Sequence, residues 1–116
     1  MVIVAVDDLM FASRISSAAK ALGVPIAFAR SPDAVVEAVR TKAPRLVIFD
    51  LNSQKIRPLE AVARLKGDAA LAAVPTVGFV SHVQTDLIAE ARQAGVDQVL
   101  ARSAFVTQLP QLLQGS

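Results

Sequence analysis

Cysteine is absent from the chain, which excludes disulfides and thiolate metal sites. Tyr and Trp are absent as well, and Phe occurs only 5 times. Base-stacking platforms for single-stranded nucleic acid need several exposed aromatics, so binding of that kind is not expected. Neither sign of charge dominates. The 12 Lys and Arg stand against 10 Asp and Glu, for a formal net charge of +2. The basic residues are scattered from Arg14 to Arg102 with no dense run, so the electrostatic footprint of a duplex-binding protein is missing. Long hydrophobic runs are missing too. The apolar opening Met1–Val6 stops at Asp7, far short of the roughly 20 residues of a membrane span. No basic segment precedes it, which argues against a signal peptide. The expectation is a cytoplasmic protein that engages neither nucleic acid nor membrane.

What is present is a core. Of the 116 residues 53% are hydrophobic and 19% charged, which suits a single globular domain over 1–116 that needs no staples. Short apolar runs alternate with longer amphipathic stretches. The runs are Val2–Val6, Val24–Ala29, Leu46–Phe49, Thr76–Val80 and Gln98–Leu100. Three of them are nearly all apolar, as strands buried on both faces are. The second and fifth read as sheet edges. Between them, Phe11, Ile15, Ala18, Ala19 and Leu22 make a helical stripe that ends at Gly23. Ser31-Pro32-Asp33 reads as a helix start. Pro58 opens a third helix, broken at Lys66-Gly67-Asp68, and Asp86–Ala94 forms a fourth, stopped by Gly95. Leu109, Leu112 and Leu113 suggest a short last helix, which Pro110 compromises unless it lies in the first turn. The pattern is βα repeated five times. It predicts a flavodoxin-like, doubly wound, five-stranded parallel sheet in order 2-1-3-4-5, with helices on both faces.

In such a sheet, chemistry collects beyond the carboxyl ends of the central strands. Asp7 and Asp8 follow the first strand, Asp50 the third, Ser81 the fourth and Arg102 the fifth. With strands one and three adjacent, the three carboxylates converge and repel. A hard divalent cation such as Mg²⁺ relieves that repulsion. A site of this kind also suits a phosphoryl group moving onto a carboxylate, with a hydroxyl and a cation to hold its oxygens. The plainer reading is that strand-end Asp residues cap helices, and Asp7 or Asp8 is well placed to do so.

The segments Ile3-Val4-Ala5-Val6-Asp7-Asp8, Leu46-Val47-Ile48-Phe49-Asp50, Val77-Gly78-Phe79-Val80-Ser81 and Ala91-Arg92-Gln93-Ala94-Gly95-Val96-Asp97, in this order and spacing, resemble the receiver domain of bacterial two-component response regulators. The resemblance covers essentially the whole chain. It implies that Asp50 accepts a phosphoryl group from a histidine kinase or phosphotransfer protein, and that the result is signalled by contact with a downstream protein. It implies Mg²⁺ between Asp8, Asp50 and the backbone carbonyl of Asn52, weakly held, with Asp7 acting mainly through water. Ser81 matches the hydroxyl that binds phosphoryl oxygen, and Arg102 matches an almost invariant Lys. The chain is then a phosphoacceptor with possible self-catalysed phosphorylation and dephosphorylation, not a metabolic enzyme.

The departures from the family suggest a second reading. The loop Ser53-Gln54-Lys55-Ile56-Arg57-Pro58 lacks the family's Gly. Lys-Pro becomes Arg102-Ser103, which predicts a trans peptide bond there. The family's switch aromatic becomes Val99. His82 reads as a solvated loop residue or, on a sharper reading, as a bulky group that narrows the approach to Asp50. A planar guanidinium at 102 is able to fork onto Asp50 and displace the cation. On that reading the domain is a degenerate receiver, a binding module that is never phosphorylated. Arg92, Val96, Val99, Phe105 and Leu109–Leu113 are the candidate face for weak homodimerisation, although Phe105 also reads as core. The expectation is a receiver without an output domain that acts by contact, or else a receiver excised from a larger protein. Gly115-Ser116 reads equally as a linker stub or a frayed end.

Overall fold

The structure, a computed structural model, describes residues 1–81 and 84–115. Strands β1 (Val2–Ala5), β2 (Ile26–Phe28), β3 (Leu46–Asp50), β4 (Thr76–Val80) and β5 (Gln98–Ala101) alternate with five helices. The helices are α1 (Leu9–Leu22), α2 (Pro32–Lys42), α3 (Pro58–Lys66), α4 (Thr85–Ala94) and α5 (Arg102–Gln114). All strand pairs are parallel and the order is β2-β1-β3-β4-β5, as the five βα units predict. The central strands β1, β3 and β4 are buried at every position, whereas β2 and β5 are only partly covered. Central strands pack on both faces and edge strands do not.

The period of two along the strands sorts the core into two layers. Ile3, Ala5, Val47, Phe49 and Val80 face α2, α3 and α4, where Val35, Val39, Val62, Leu65 and Ala91 meet them. Val2, Val4, Ile48, Val77 and Phe79 face α1 and α5, with Phe11, Ile15, Phe105, Leu109 and Leu113. In this second layer Phe79 stacks on Phe11 at 4.6 Å and on Phe105 at 4.5 Å between ring centroids.

The helix starts follow their local chemistry. Asp8 caps α1, its Oδ1 accepting the Phe11 N–H at 3.0 Å. Ser31 caps α2 by accepting the Ala34 N–H at 3.0 Å. Pro58 leads α3. The end of the chain differs from expectation. The last helix is not short: α5 has 13 residues and runs through Pro110. The ring removes one helical hydrogen bond and costs about 3 kcal/mol locally, but Phe105, Leu109 and Leu113 are all 3% exposed or less. Burial of that face outweighs the local penalty. The same burial moves Phe105, Leu109 and Leu113, with Val96, from the proposed dimer face into the core. Gly115, at φ 78, donates its N–H to the Gln111 carbonyl and caps the helix.

Gly78 is required by packing. A Cβ there would stand 2.7 Å from Cγ of Leu51, which is buried against it. This close approach seats the segment after Asp50 on β4, where the Leu51 N–H also bonds the Phe79 carbonyl at 3.0 Å.

Candidate functional site

The carboxyl ends of β1, β3, β4 and β5 bring Asp7, Asp8, Asp50, Ser81 and Arg102 to one edge of the sheet. Asp50 is the last residue of β3 and only 7% exposed, the one buried acidic or basic residue among those described. Its Oδ1 accepts the Asn52 N–H at 3.0 Å. Burial pushes its carboxyl above its ordinary value, the Asn52 N–H draws it back, and the charges of Asp7 and Asp8 push it up again. Arg102 draws it down, with the smallest influence of these. Asp7 is half-buried and Asp8 exposed. Thus the capping reading holds for Asp8, while Asp50 caps no helix. Among the described residues, no three His, Cys, Asp or Glu side chains stand close enough to hold a metal ion by themselves.

Asn52 does more than its position in the loop suggests. Its Oδ1 accepts the Ser81 N–H at 2.7 Å and its Nδ2 donates to Gln84 Oε1 at 2.7 Å. One residue therefore binds Asp50 through its backbone and the β4–α4 connection through its side chain. The resemblance assigns Asn52 only its carbonyl, and nothing in the polar stretch around Gln84 marks that residue as a partner. Ser81 is half-buried beside this clasp. His82, singled out above for its bulk, lies outside the described residues.

The loop after Asp50 closes without the family's glycine. Ser53 is buried, and its Oγ accepts the Ile56 N–H at 3.1 Å. Arg57 then takes the left-handed conformation at φ 54 immediately before Pro58. A side-chain turn and one strained residue replace the missing Gly.

Arg102 does not pair with Asp50. The ion pairs among the described residues join Arg40 to Asp68, Arg57 to Glu60, Arg64 to Asp33 and Lys66 to Asp97. The Arg102 guanidinium carbon lies instead 4.4 Å from the centroid of the Phe11 ring. The physical reason is that α5 begins at Arg102 itself, which places its side chain beside α1. There is no cis peptide bond among the described residues, so Arg102–Ser103 is trans as predicted. Val99 is half-buried and packs on the α2–α4 layer.

A hollow of about 330 Å³ lies at the opposite end of the sheet among Arg45, Leu46, Pro75, Gln111, Leu112 and Gly115. It has a single charged group and no nucleophile, so the acidic edge is the better candidate.

Solved structures share this architecture. The phosphorylated cyanobacterial phytochrome response regulator RcpA matches with a TM-score of 0.79 at 23% identity, covering 98% of this chain and 88% of that one. The chain has the response-regulator receiver fold. The Mn(2+)-bound response regulator Rcp1 matches at 0.76 and 19% identity, over 98% of this chain and 88% of its own. A response regulator from Hahella chejuensis matches this receiver fold at 0.84 and 17% identity, over 97% and 91%. No protein-family model and no curated protein matches the sequence. No helix among the described residues is long and apolar enough to cross a membrane.

Proposed function

We propose that the chain is a receiver-type signalling domain in which Asp50 accepts a phosphoryl group from a histidine kinase or phosphotransfer protein. The carrying observation is that Asp50 is buried, forms no ion pair among the described residues, and is held at the end of a central strand with two further acids acting on it. Burying a carboxylate without an ion pair is costly, and the local hydrogen bond from the Asn52 N–H leaves its charge uncompensated. The fold shared with a phosphorylated regulator and a Mn(2+)-bound one supports the same reading.

The donor set is all oxygen: the Asp8 and Asp50 carboxylates, the Asn52 carbonyl, and Asp7 through water. This set suits Mg²⁺, which keeps several waters and needs few protein ligands, and the mutual repulsion at Asp50 is what such an ion relieves. When bound, the ion neutralises charge on the transferring phosphoryl oxygens. Oδ1 of Asp50 is engaged by the Asn52 N–H, so Oδ2 is the attacking oxygen. Its lone pair forms the O–P bond as the P–N bond to the donor imidazole breaks. The imidazole leaves with the electron pair and takes a proton from solvent. The Ser81 hydroxyl and the Arg102 guanidinium then contact phosphoryl oxygens. With Val99 in place of an aromatic, the response stays in the Ser81 loop and the start of α4. The output is a changed protein–protein contact there.

The test is incubation with acetyl phosphate or phosphoramidate plus Mg²⁺, followed by intact mass. An adduct of about 80 Da, one phosphoryl group, is expected on the wild type and not on Asp50→Asn. No adduct on the wild type, with adduct on Arg102→Lys, would favour the binding-module reading.

A further inference from the structure

Arg102 is the first residue of α5. A helix N-terminus carries a partial positive charge, so a cation there is at the unfavourable end. The first turn of α5 contains no acidic residue to offset it. Three carboxylates stand at the same edge of the sheet, yet none of Asp7, Asp8 and Asp50 forms an ion pair with Arg102. The guanidinium lies over Phe11, 4.4 Å from the ring centroid. That ring is fixed: Phe11 is 3% exposed, stacks on Phe79 and contacts Phe105 at 5.7 Å. A guanidinium over an aromatic face is attracted by the ring's negative face while its edges stay hydrated. Forking onto a buried carboxylate would require losing that hydration.

We propose that Phe11 is a positioning residue, the resting seat of the Arg102 cation. The ring holds Arg102 off Asp50, which leaves the acidic edge open to a divalent cation, and Arg102 leaves the ring when anionic phosphoryl oxygens enter. Phe11 serves both charges, since its N–H also holds Asp8 Oδ1. The second part of this inference rests on the acidic edge being a cation and phosphoryl site. The seat itself does not.

Two measurements separate these. The first uses the protein alone. In ¹H–¹⁵N spectra, the Arg102 side-chain Nε–H signal should be displaced upfield by the ring current, and Phe11→Met or Phe11→Leu should abolish the displacement. Met conserves volume, and the dispersion of the backbone amide signals reports whether each variant is folded. An Arg102 signal unmoved by loss of the ring overturns the seat. The second is a Mg²⁺ titration. Phe11→Met should weaken Mg²⁺ binding about 5- to 10-fold as the freed cation reaches the carboxylates. The double variant Phe11→Met/Arg102→Gln should recover it. Equal affinity in wild type and folded Phe11→Met overturns the gating role. Absence of Mg²⁺ binding in every variant overturns the cation reading of the pocket, together with the gating that depends on it, and leaves the seat to be decided by the ring-current signal.

Discussion

Asp50 is poised by its surroundings against its own ionisation. Burial is the largest influence and raises its pKa; Asp7 and Asp8 raise it further, the Asn52 N–H and Arg102 lower it, and the net shift is upward. An acid whose folded pKa lies above its unfolded one stabilises the fold only where it is protonated, at low pH. That contribution is lost as pH rises through the folded pKa. At neutral pH the ionised Asp50 therefore destabilises the protein. Asp50→Asn should raise the urea midpoint at pH 7, and its advantage should shrink as pH falls toward the ordinary carboxylate value. A variant less stable than wild type at pH 7 would contradict this. Acceptance of phosphoryl groups needs the carboxylate, so it should decline with acidification at a pH above that of an ordinary Asp. Asn52 offers a separate test at this scale. Removing its side chain in Asn52→Ala takes away the Ser81 and Gln84 bonds. Amide exchange at Ser81 should quicken about 5- to 30-fold, the equivalent of one hydrogen bond to each partner.

At the scale of elements, α1 has a dual-purpose start. Asp8→Ala removes the cap and should lower stability by about 1 kcal/mol. Asp8→Asn keeps a capping oxygen and should lie close to wild type in stability, yet lose the charge on which cation binding depends. Denaturation and Mg²⁺ titration of both variants separate the two roles, and an Asn variant with undiminished Mg²⁺ affinity would remove Asp8 from the site. Strand β4 is constrained by the segment that follows Asp50. Gly78→Ala would place a Cβ 2.7 Å from Leu51, and overpacking of this kind costs about 1–3 kcal/mol. The same variant should perturb the Asp50 region, because Leu51 must move. Chemical shifts at Asn52 and Ser81 that stay fixed in Gly78→Ala would show the two segments to be independent.

Across the molecule, the site is held by one layer of the core. Phe79 of β4 lies between Phe11 of α1 and Phe105 of α5, so the helices flanking the acidic edge share one aromatic stack. Phe105→Ala should cost about 3–5 kcal/mol and, by loosening Phe11, release Arg102. Cooperative unfolding at a much lower denaturant concentration is the expected result. At the far end of the sheet, Asp97 Oδ2 accepts the Thr76 N–H at 2.8 Å and the Thr76 hydroxyl at 3.1 Å, and the Asp97 N–H returns a bond to Thr76 Oγ1 at 3.0 Å. This reciprocal staple sets the β4–β5 register that brings Arg102 level with Ser81.

Strand and helix placement was legible in the residues because it depends on local periodicity and on caps that act within three or four positions. The buried runs at Leu46 and Thr76, the caps Asp8 and Ser31, and the stop at Gly95 are all of this kind. So was the arrival of Asp7, Asp8 and Asp50 at one edge of the sheet, because parallel βα topology sends every strand's carboxyl end there. What remained hidden was where long side chains come to rest. Arg102 read either as a contact for phosphoryl oxygens or as a fork onto Asp50, and only the helix starting at that residue, beside α1, turns it onto Phe11. Pro110 read as a helix breaker, and only the burial of Phe105, Leu109 and Leu113 overrides it. Asn52 read as a carbonyl, and only the packing of the β4–α4 connection against the loop after β3 makes its side chain a clasp. Each of these outcomes depends on contacts between residues far apart in the chain, at angles and distances that no pattern along it encodes.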